Sequence, residues 1–476
     1  IMKSLTKGLL LFLTLFLFGS ATAQELKDSP TWKNIKSHPA ALPILGTIMP
    51  VQSNLDEASF WSVGSETLDR DYADFDNYKQ YMKETGVGYA RLQSGWAKTE
   101  KVKGQYDFEW FDEHVDGLIA EGIHPWVCLC YSNVLYSDYG PRHLFPDGPV
   151  MDAWLNYVKA CVARYKDKVK MWEIWNEPEL KKGPFDQYAN LFVRTAKAIR
   201  EVDPKARIAA FGASRPNKEY VRQALELIAA ADGLQYMDYI TYHAYEEVPE
   251  TIIPRILELK EWLSQYDSPI GVLQGETGCP AQLEYGHALK GREWSEYSQS
   301  KWDLRQALTH FGMGIPYSFF TMVDLNYGNM LQSFGLIRQN GIKKPVYKRP
   351  KFYAVQHVTS VFTPDMEVTD SVMVQGPYDL QITSYGLKKN GRNVGCMLWI
   401  SGEKPSCSLE RTMADITVRG MQFWDPVYVD MFTGYVHDLS AVVKNVRGGA
   451  RIFQDVPIWD SPILIINKSA LNIKTE

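Results

Sequence analysis

Short apolar segments alternate with amphipathic segments along most of the chain. Apolar residues recur at helical spacing over Phe108–Ile119 and Tyr188–Ile199, and Asp186 could cap the second of these predicted helices. A further helix is predicted over Phe352–Val361. The segments that predict β-strands by their length and apolar content are Pro43–Met49, Gly88–Ser94, His124–Tyr131, Val169–Asn176, Ala206–Ala213, Tyr239–Tyr245, Ile270–Gly275 and Ile315–Met322. Strands that alternate with helices indicate a parallel sheet.

Eight such strands favour a closed (β/α)8 barrel over an open doubly wound sheet. No GxGxxG or GxxxxGK(S/T) pattern follows any of them, which argues against a nucleotide-binding fold. After residue 361 the pattern changes to short strand-like segments, which are Tyr378–Tyr385, Asn393–Ile400, Pro426–Met431 and Ile463–Ile466. The predicted fold class is therefore α/β, with a TIM barrel over residues 24–361 and a small all-β sandwich over residues 362–476.

Composition narrows the classes of partner. The net charge of −5 lacks the basic excess that nucleic-acid binding requires, so no nucleic-acid partner is expected. Aromatic residues make up 13% of the 476 residues, with 14 Trp and 27 Tyr. Flat aromatic faces stack on sugar rings, but large hydrophobic cores also use them. Composition therefore favours a carbohydrate partner only slightly.

The first residues have the pattern of an export signal. Lys3 and Lys7 precede the apolar segment Leu9–Phe18, and the small residues of Ala21–Ala23 resemble a cleavage site. The apolar segment is too short to cross a bilayer comfortably, so no stable membrane insertion is expected. Residues 1–23 are therefore predicted to be a signal peptide, and the mature protein to be periplasmic or extracellular.

The cysteines and histidines do not form a recognisable ligand pattern. Cys128 and Cys130 lie in an apolar segment and are typical of small core residues. Cys396 and Cys407 either bridge neighbouring strands, which an exported protein permits, or remain free. No cysteine pair has zinc-site spacing, and the nine histidines include no HExxH motif. No metal or cofactor is implied.

Two predicted strands end in a glutamate followed by a turn. The fourth strand ends in the sequence WNEP, which contains Glu177, and the seventh ends in GETG, which contains Glu276. In a (β/α)8 barrel the active residues lie at the carboxyl ends of the strands, and strands four and seven face each other across the mouth. Retaining glycoside hydrolysis needs such a pair, one acid and one nucleophile, about 5–5.5 Å apart.

These motifs resemble clan A of the glycoside hydrolases. The sequence WEIWNEP over Trp172–Pro178, with a glutamate at the end of strand seven, carries the resemblance across the barrel. The sequence YHAY over Tyr242–Tyr245 and the pair Gly95-Trp96 are similar to family 39 and its neighbours. Strand eight departs from the clan pattern, because YSFF over Tyr317–Phe320 lacks the tryptophan that is common there.

The resemblance implies a role for each matching residue. Glu177 matches the acid/base and Glu276 the nucleophile. Asn176 matches the residue that hydrogen-bonds the sugar 2-hydroxyl, a contact that strengthens in the transition state. Arg91, near the end of strand two, matches the arginine that holds the nucleophile ionised and oriented.

Further candidates have structural alternatives. His243 and Tyr245 match strand-six residues that contact the nucleophile or the substrate, but both could be core residues. Trp96 is either a sugar platform or a filler of the barrel rim. Arg91 could instead be the ion-pair partner of Glu173, which should point into the barrel. Glu246 and Glu284 are interpreted as solvated loop charges.

The sequence thus predicts a retaining glycoside hydrolase that acts on β-linked oligo- or polysaccharides and resembles β-xylosidases. An inactive carbohydrate-binding protein on the same barrel is the alternative, and transglycosylation would use the same two glutamates. The sugar and the oligomeric state stay open. The long segments Ser132–Val150 and Thr277–Ser295 are expected to determine whether the enzyme acts at chain ends or within chains.

Overall fold

The computed structural model describes residues 25–56, 59–138, 140–180, 183–445 and 450–475. The predicted signal peptide lies outside these residues. Strands in the first two thirds of the chain are β1 (Ile44–Ile48), β2 (Trp61–Gly64), β3 (Tyr89–Gln93), β4 (His124–Leu129), β5 (Met171–Ile174), β6 (Arg207–Ala213), β7 (Tyr239–Tyr242), β8 (Gly271–Thr277) and β9 (Tyr317–Phe319).

Strands β2 to β9 form a closed parallel barrel in chain order. The ring closes where β9 pairs with β2, with Tyr317 opposite Trp61 and Phe319 opposite Val63. Strands β2 to β9 are largely buried, because helices cover the outside of the barrel and side chains fill the inside.

The described residues form ten α-helices, most of which surround this barrel. They are α1 (Pro30–Lys36), α2 (Lys79–Met82), α3 (Trp96–Thr99), α4 (Glu109–Ala120), α5 (Pro149–Tyr165), α6 (Phe185–Val202), α7 (Glu219–Ala230), α8 (Ile253–Leu263), α9 (Glu296–Gly312) and α10 (Pro350–Val361). Helix α6 buries the predicted apolar face, but Asp186 does not cap it. Pro184 holds the cap position, and Asp186 lies inside the first turn, where a carboxylate complements the helix dipole.

The remaining strands form short hairpins and two antiparallel sheets. They are β10 (Leu325–Asn326), β11 (Leu331–Gln332), β12 (Ile337–Gln339), β13 (Pro345–Lys348), β14 (Met366–Thr369), β15 (Met373–Gln375), β16 (Ile382–Lys389), β17 (Arg392–Ile400), β18 (Thr412–Arg419), β19 (Pro426–Asp430), β20 (Tyr435–Asp438), β21 (Val443–Asn445), β22 (Arg451–Ile458), β23 (Ile463–Asn467) and β24 (Ile473–Lys474). The larger sheet has the order β14-β16-β17-β23-β19-β20-β1-β24, and the smaller has β15-β18-β22-β21. A barrel followed by antiparallel sheets confirms the predicted fold class.

The first predicted strand was assigned to the wrong domain. Pro43–Met49 does contain β1, but β1 pairs antiparallel with β20 and β24 in the larger antiparallel sheet. The first barrel strand is instead β2, whose four residues give too short an apolar pattern to distinguish it from a loop. The predicted count of eight was correct because one misassigned strand replaced one missed strand. The predicted barrel range of 24–361 therefore contains a strand of the other domain.

Charged groups on the barrel side bond to the antiparallel sheets. Lys301 of α9 is fully buried, and its Nζ donates to Asp460 Oδ1 at 2.6 Å. Glu250 accepts from Arg305 of α9 and, at 2.6 Å, from the indole N–H of Trp399 in β17. Because these groups are largely removed from water, their pairing fixes how the two parts of the chain meet.

All six cysteines lie within the described residues, and all are free. Cys396 is buried in β17, whereas Cys407 is exposed, with its Sγ 3.0 Å from Ser295 Oγ. The possible Cys396–Cys407 bridge is therefore absent. Within the described ranges, no helix combines the length and apolar character needed to cross a bilayer.

The position of β1 predicts that replacing its two isoleucines by alanine lowers the free energy of unfolding by different amounts. Ile48 is 4% exposed, whereas Ile44 is 42% exposed. We expect Ile48→Ala to lower the free energy of unfolding by about 2–5 kcal/mol, since it leaves a cavity, and Ile44→Ala by less than about 1 kcal/mol. The midpoint of chemical denaturation measures both. Equal losses would contradict the burial of this strand in the sheet.

Candidate active site

A cavity of about 740 Å³ opens at the carboxyl ends of the barrel strands. Its polar lining includes Glu66, Gln93, Asn176, Glu177, Tyr245 and Glu276. Three arginines, Arg70, Arg142 and Arg215, also line it. The structure thus brings both predicted catalytic glutamates to one cavity.

The turn after β5 is what projects Glu177 into the cavity. Trp175 and Glu177 both adopt left-handed backbone conformations, with φ of 73° and 49°. The N–H of Glu177 donates to the carbonyl of Gly212 at 2.9 Å, and that of Trp175 donates to Leu129 at 3.0 Å. Non-glycine residues in this region carry strain that surrounding contacts must offset, a feature common at functional sites.

Arg91 lies at the centre of the site and is fully buried. Its Nε donates to Glu173 Oε2 at 2.7 Å, and its Nη1 donates to Glu276 Oε2 at 2.9 Å. Nη1 also lies 3.3 Å from Glu66 Oε1, and Nη2 donates to Asn176 Oδ1 at 2.8 Å. Burial lowers the pKa of Arg91, but the carboxylates outweigh burial and raise it well above its usual value. Both predicted contacts of Arg91, with Glu173 and with Glu276, are therefore present.

Both carboxylate oxygens of Glu276 are held by neighbouring side chains. Tyr245 Oη donates to Oε1 at 2.6 Å, and Arg91 donates to Oε2. One oxygen of Glu276 lies within 4.8 Å of one oxygen of Glu177. This spacing suits a nucleophile and an acid that act on one bond. In inverting enzymes the two carboxyl groups are about 6.5–9.5 Å apart, because a water molecule must fit between one of them and the sugar.

His243 lies close to both glutamates. Its Nδ1 lies 3.0 Å from Glu177 Oε1 and 3.7 Å from Glu276 Oε1, and the ring is fully buried. Burial lowers the pKa of His243, but Glu276 and Glu177 outweigh burial, so this pKa lies above its usual value. The ring nitrogen faces both carboxylates, which would not be expected of a histidine satisfied only by core contacts.

Asn176 is fixed in orientation by two contacts. Its Oδ1 accepts from Arg91, and its Nδ2 donates to Tyr131 Oη at 2.9 Å. Asn176 is nearly buried yet lines the cavity beside Glu177. A bound sugar would meet an amide that is already oriented.

Trp96 is a core residue rather than a sugar platform. Its side chain has no exposed surface, and it is absent from the cavity wall of the described residues. The indole N–H donates to Glu100 Oε2 at 2.6 Å, and the ring stacks on Tyr136 and Tyr157. Of its two predicted roles, filling the barrel rim is the correct one.

Sequence reasoning missed Glu66, the third carboxyl of the site. Glu66 follows β2 by two residues, and because β2 was not recognised, nothing marked Glu66 as a residue of the rim. The interpretation of Glu246 and Glu284 as solvated charges was also wrong. Glu246 pairs with Arg255 at 3.0 Å, and Glu284 Oε1 accepts from the N–H and hydroxyl groups of Ser333.

Glu177, His243 and Glu276 also form a cluster that has the composition of a metal site. One ligand atom of each lies within 4.8 Å of the others. His243 Nδ1 already lies at hydrogen-bond distance from Glu177 Oε1, and Arg91 and Tyr245 donate to the two oxygens of Glu276. A guanidinium at 2.9 Å opposes a second cation, so the donor set fits acid–base chemistry better than metal binding.

Residues 58–264 match the model described as Glycosyl hydrolases family 39. The resemblance to glycoside hydrolase family 39 is confirmed. This match supports the expectation of a glycoside hydrolase. Aryl-phospho-beta-D-glucosidase BglA of Bacillus subtilis (strain 168) is 26% identical over 178 residues, which are 34% of this chain and 35% of that protein. The beta-xylosidase of Geobacillus stearothermophilus is 24% identical over 161 residues, or 30% of this chain and 32% of that protein.

The chain thus spans about a third of the length of these curated relatives. Solved structures align over more of it. A family 39 glycoside hydrolase from the gut symbiont Bacteroides cellulosilyticus WH2 has a TM-score of 0.65 at 17% identity, covering 88% of this chain and 83% of that one. A monomeric beta-xylosidase from Caulobacter crescentus CB15 has a TM-score of 0.56 at 17% identity, covering 80% and 83%. At these identities the likeness shows the fold.

The burial of Trp96 predicts that its loss affects stability. We expect Trp96→Ala to lower the free energy of unfolding by about 3–5 kcal/mol, because the cavity it leaves is large. Trp424, which is 81% exposed, is the matched control, and Trp424→Ala should cost less than about 1 kcal/mol. Chemical denaturation measures both variants. A raised KM with an unchanged midpoint for Trp96→Ala would instead show that the indole contacts substrate.

Proposed function

We propose that the chain is a retaining glycoside hydrolase that cleaves β-glycosidic bonds in oligo- or polysaccharides by double displacement. The observation that carries this proposal is the pairing of Glu177 and Glu276 across one cavity, with oxygens within 4.8 Å. Both oxygens of Glu276 are fixed, one by an arginine and one by a tyrosine, which suits the residue that attacks. Glu177 is partly exposed and faces the space where a leaving group would lie.

In the first step, Glu276 attacks the anomeric carbon, and the bond from this carbon to the glycosidic oxygen breaks. Glu177 gives its proton to that departing oxygen. The oriented oxygens of Glu276 reduce the motion needed for attack, an effect that contributes much of the rate in such sites. Asn176, held by Arg91 and Tyr131, is placed to bond the sugar 2-hydroxyl.

In the second step, Glu177 takes a proton from water, and the water oxygen attacks the anomeric carbon. The bond between that carbon and Glu276 breaks, and the carboxylate returns. His243 Nδ1 lies 3.0 Å from Glu177 Oε1, and an N–H on that nitrogen would stabilise the carboxylate form of Glu177 that accepts the proton. A sugar hydroxyl in place of water would give transglycosylation through the same residues.

The alternative, a carbohydrate-binding protein without turnover, is less well supported. Loss of catalysis removes the pressure to keep a buried, charged network, because such networks are costly to maintain. In this chain Arg91, His243 and Tyr245 still orient both glutamates. A site that only binds sugar has no need of these contacts.

We propose that the substrate sugar is xylose or a related sugar in β-linkage. The names of similar proteins, among them a beta-xylosidase and an aryl-phospho-beta-D-glucosidase, support a β-linkage. A panel of aryl β-xylosides, glucosides and galactosides would identify it. Uronides belong in the panel as well, since three arginines line the cavity. Export to the periplasm or the medium is part of the proposal and rests on the signal pattern of residues 1–23.

Trapping the covalent intermediate tests which residue attacks. A 2-deoxy-2-fluoro β-glycoside of the preferred sugar slows the second step, so we expect one label per chain on Glu276. Peptide mass spectrometry locates the label, and Glu276→Gln should take none. A label on another residue, or an NMR spectrum that shows a product of inverted configuration, would contradict the mechanism.

Removal of the acid/base tests the role of Glu177. We expect Glu177→Ala to lower kcat by about 10²–10⁴-fold on substrates with poor leaving groups, and azide to restore part of the rate as a β-glycosyl azide. Glu179 lies on the same turn but does not line the cavity, and its Oε1 accepts from the backbone N–H of Ser214. Glu179→Ala is therefore the control and should gain nothing from azide. Equal behaviour of the two variants would contradict the assignment.

A further inference from the structure

A third carboxyl group, Glu66, shares the guanidinium that orients Glu276. Its Oε1 lies 3.3 Å from Arg91 Nη1, the same nitrogen that donates to Glu276 Oε2 at 2.9 Å. The Glu66 side chain is 1% exposed, and its Oε2 has no hydrogen-bond partner within the described ranges. Glu66 nevertheless belongs to the cavity wall. Glu66 is thus a buried acid beside the candidate nucleophile, and the two-step reaction gives Glu66 no role.

The fold makes a specific space for this carboxyl group. It lies against the backbone of Gly64, where a Cβ atom would be 2.2 Å from Oε2 and 2.8 Å from Oε1 of Glu66. The carbonyl of Gly64 accepts from Thr321 Oγ1 and from the N–H of Met322, both at 2.8 Å. Residue 64 is therefore fixed in position and lacks a side chain at the point where Glu66 folds back.

Charge balance decides the form in which Glu66 is held. Arg91 contacts Glu66, Glu173 and Glu276, so one positive charge would face three negative charges if all three were ionised. Burying an excess of charge is costly, and a buried group responds by taking a proton. Burial raises the pKa of Glu66 to about 8; Arg91 opposes this shift and Glu276 adds to it.

The two tyrosines near Glu66 stay neutral over the same range. Tyr78 and Tyr245 both feel the charge of Glu66, and burial raises the pKa of each above its usual value. Tyr78 is bonded to Ser65 and Tyr245 to Glu276. Neither tyrosine supplies a charge that would replace the proton on Glu66.

We propose that Glu66 is a positioning residue that works in its acid form, leaving Arg91 free to orient Glu276 for attack. The proposal rests on the proposed function of Glu276 as nucleophile. Once ionised, Glu66 competes for Nη1 and repels Glu276 across it, which turns the nucleophile away. A displacement of about 1 Å in such a site costs on the order of 10²-fold in rate.

The pH dependence of nucleophilic attack tests this role. The probe is 2,4-dinitrophenyl 2-deoxy-2-fluoro-β-xyloside, with the glucoside as a second arm; its leaving group needs no proton, so Glu177 does not contribute. Each full-length protein is compared with its own inactivation rate at pH 6.5. The wild type should lose about tenfold by pH 9, as expected for a single group ionising near pH 8, whereas Glu66→Gln should lose less than twofold.

Glu284→Gln is the matched control, because Glu284 is also buried with a raised pKa but bonds Ser333 rather than Arg91. It should lose rate as the wild type does. A parallel fall in wild type and Glu66→Gln, no fall in the wild type, or a flat profile for Glu284→Gln would overturn the proposal.

A second measurement does not depend on catalysis. In the infrared difference spectrum between pH 6.5 and pH 9, the wild type should lose more of the carbonyl absorption of protonated carboxylic acids than Glu66→Gln does. Burial raises the pKa of Asp303 to about 7, so Asp303 contributes the same loss in both proteins. Identical spectra would overturn the acid form of Glu66. Failure of both glycosides to label Glu276 at any pH, with the infrared difference present, would instead reject the glycosidase proposal and with it the positioning role.

Discussion

The site depends on one buried cation, the guanidinium of Arg91. It bonds a carboxylate inside the barrel, the candidate nucleophile on β8 and the amide of Asn176 after β5. A fully buried charge is tolerated only when it is paired on every side, so these contacts maintain one another. The interior of the barrel and the geometry of the cavity are therefore a single network. A change at Glu173, remote from substrate, would alter the direction in which Glu276 points.

Much of this network could be predicted because its members lie in strong local patterns. Glu177 follows an apolar strand within WNEP, and Glu276 follows another, so barrel topology alone placed them opposite each other. Glu173 lies in the fourth predicted strand and was expected to point into the barrel, where Arg91 was its possible partner. Such residues are predictable because the strand direction fixes where the side chain goes.

What escaped prediction depends on contacts between distant parts of the chain. The four residues of β2 lack a distinctive pattern, and their role is set by pairing with β3 and β9. Glu66 was missed for the same reason. The orientation of Trp96 could not be predicted either, because the rings of Tyr157 and Tyr136, which pack against it, decide whether a tryptophan near the rim points inwards or outwards. Asp186 lies in the first turn of its helix because Pro184 takes the cap position.

The place of β1 has a consequence for how the chain acquires its structure. This early strand lies between β20 and β24, so the larger antiparallel sheet is completed only after residue 474 has been synthesised. Pairings across such sequence separations form slowly, because the loop that they close is long. During synthesis the barrel can assemble while β1 is still unpaired. An exposed strand edge of this kind can pair with other chains. Shortening the protein to its barrel would make that exposed edge permanent.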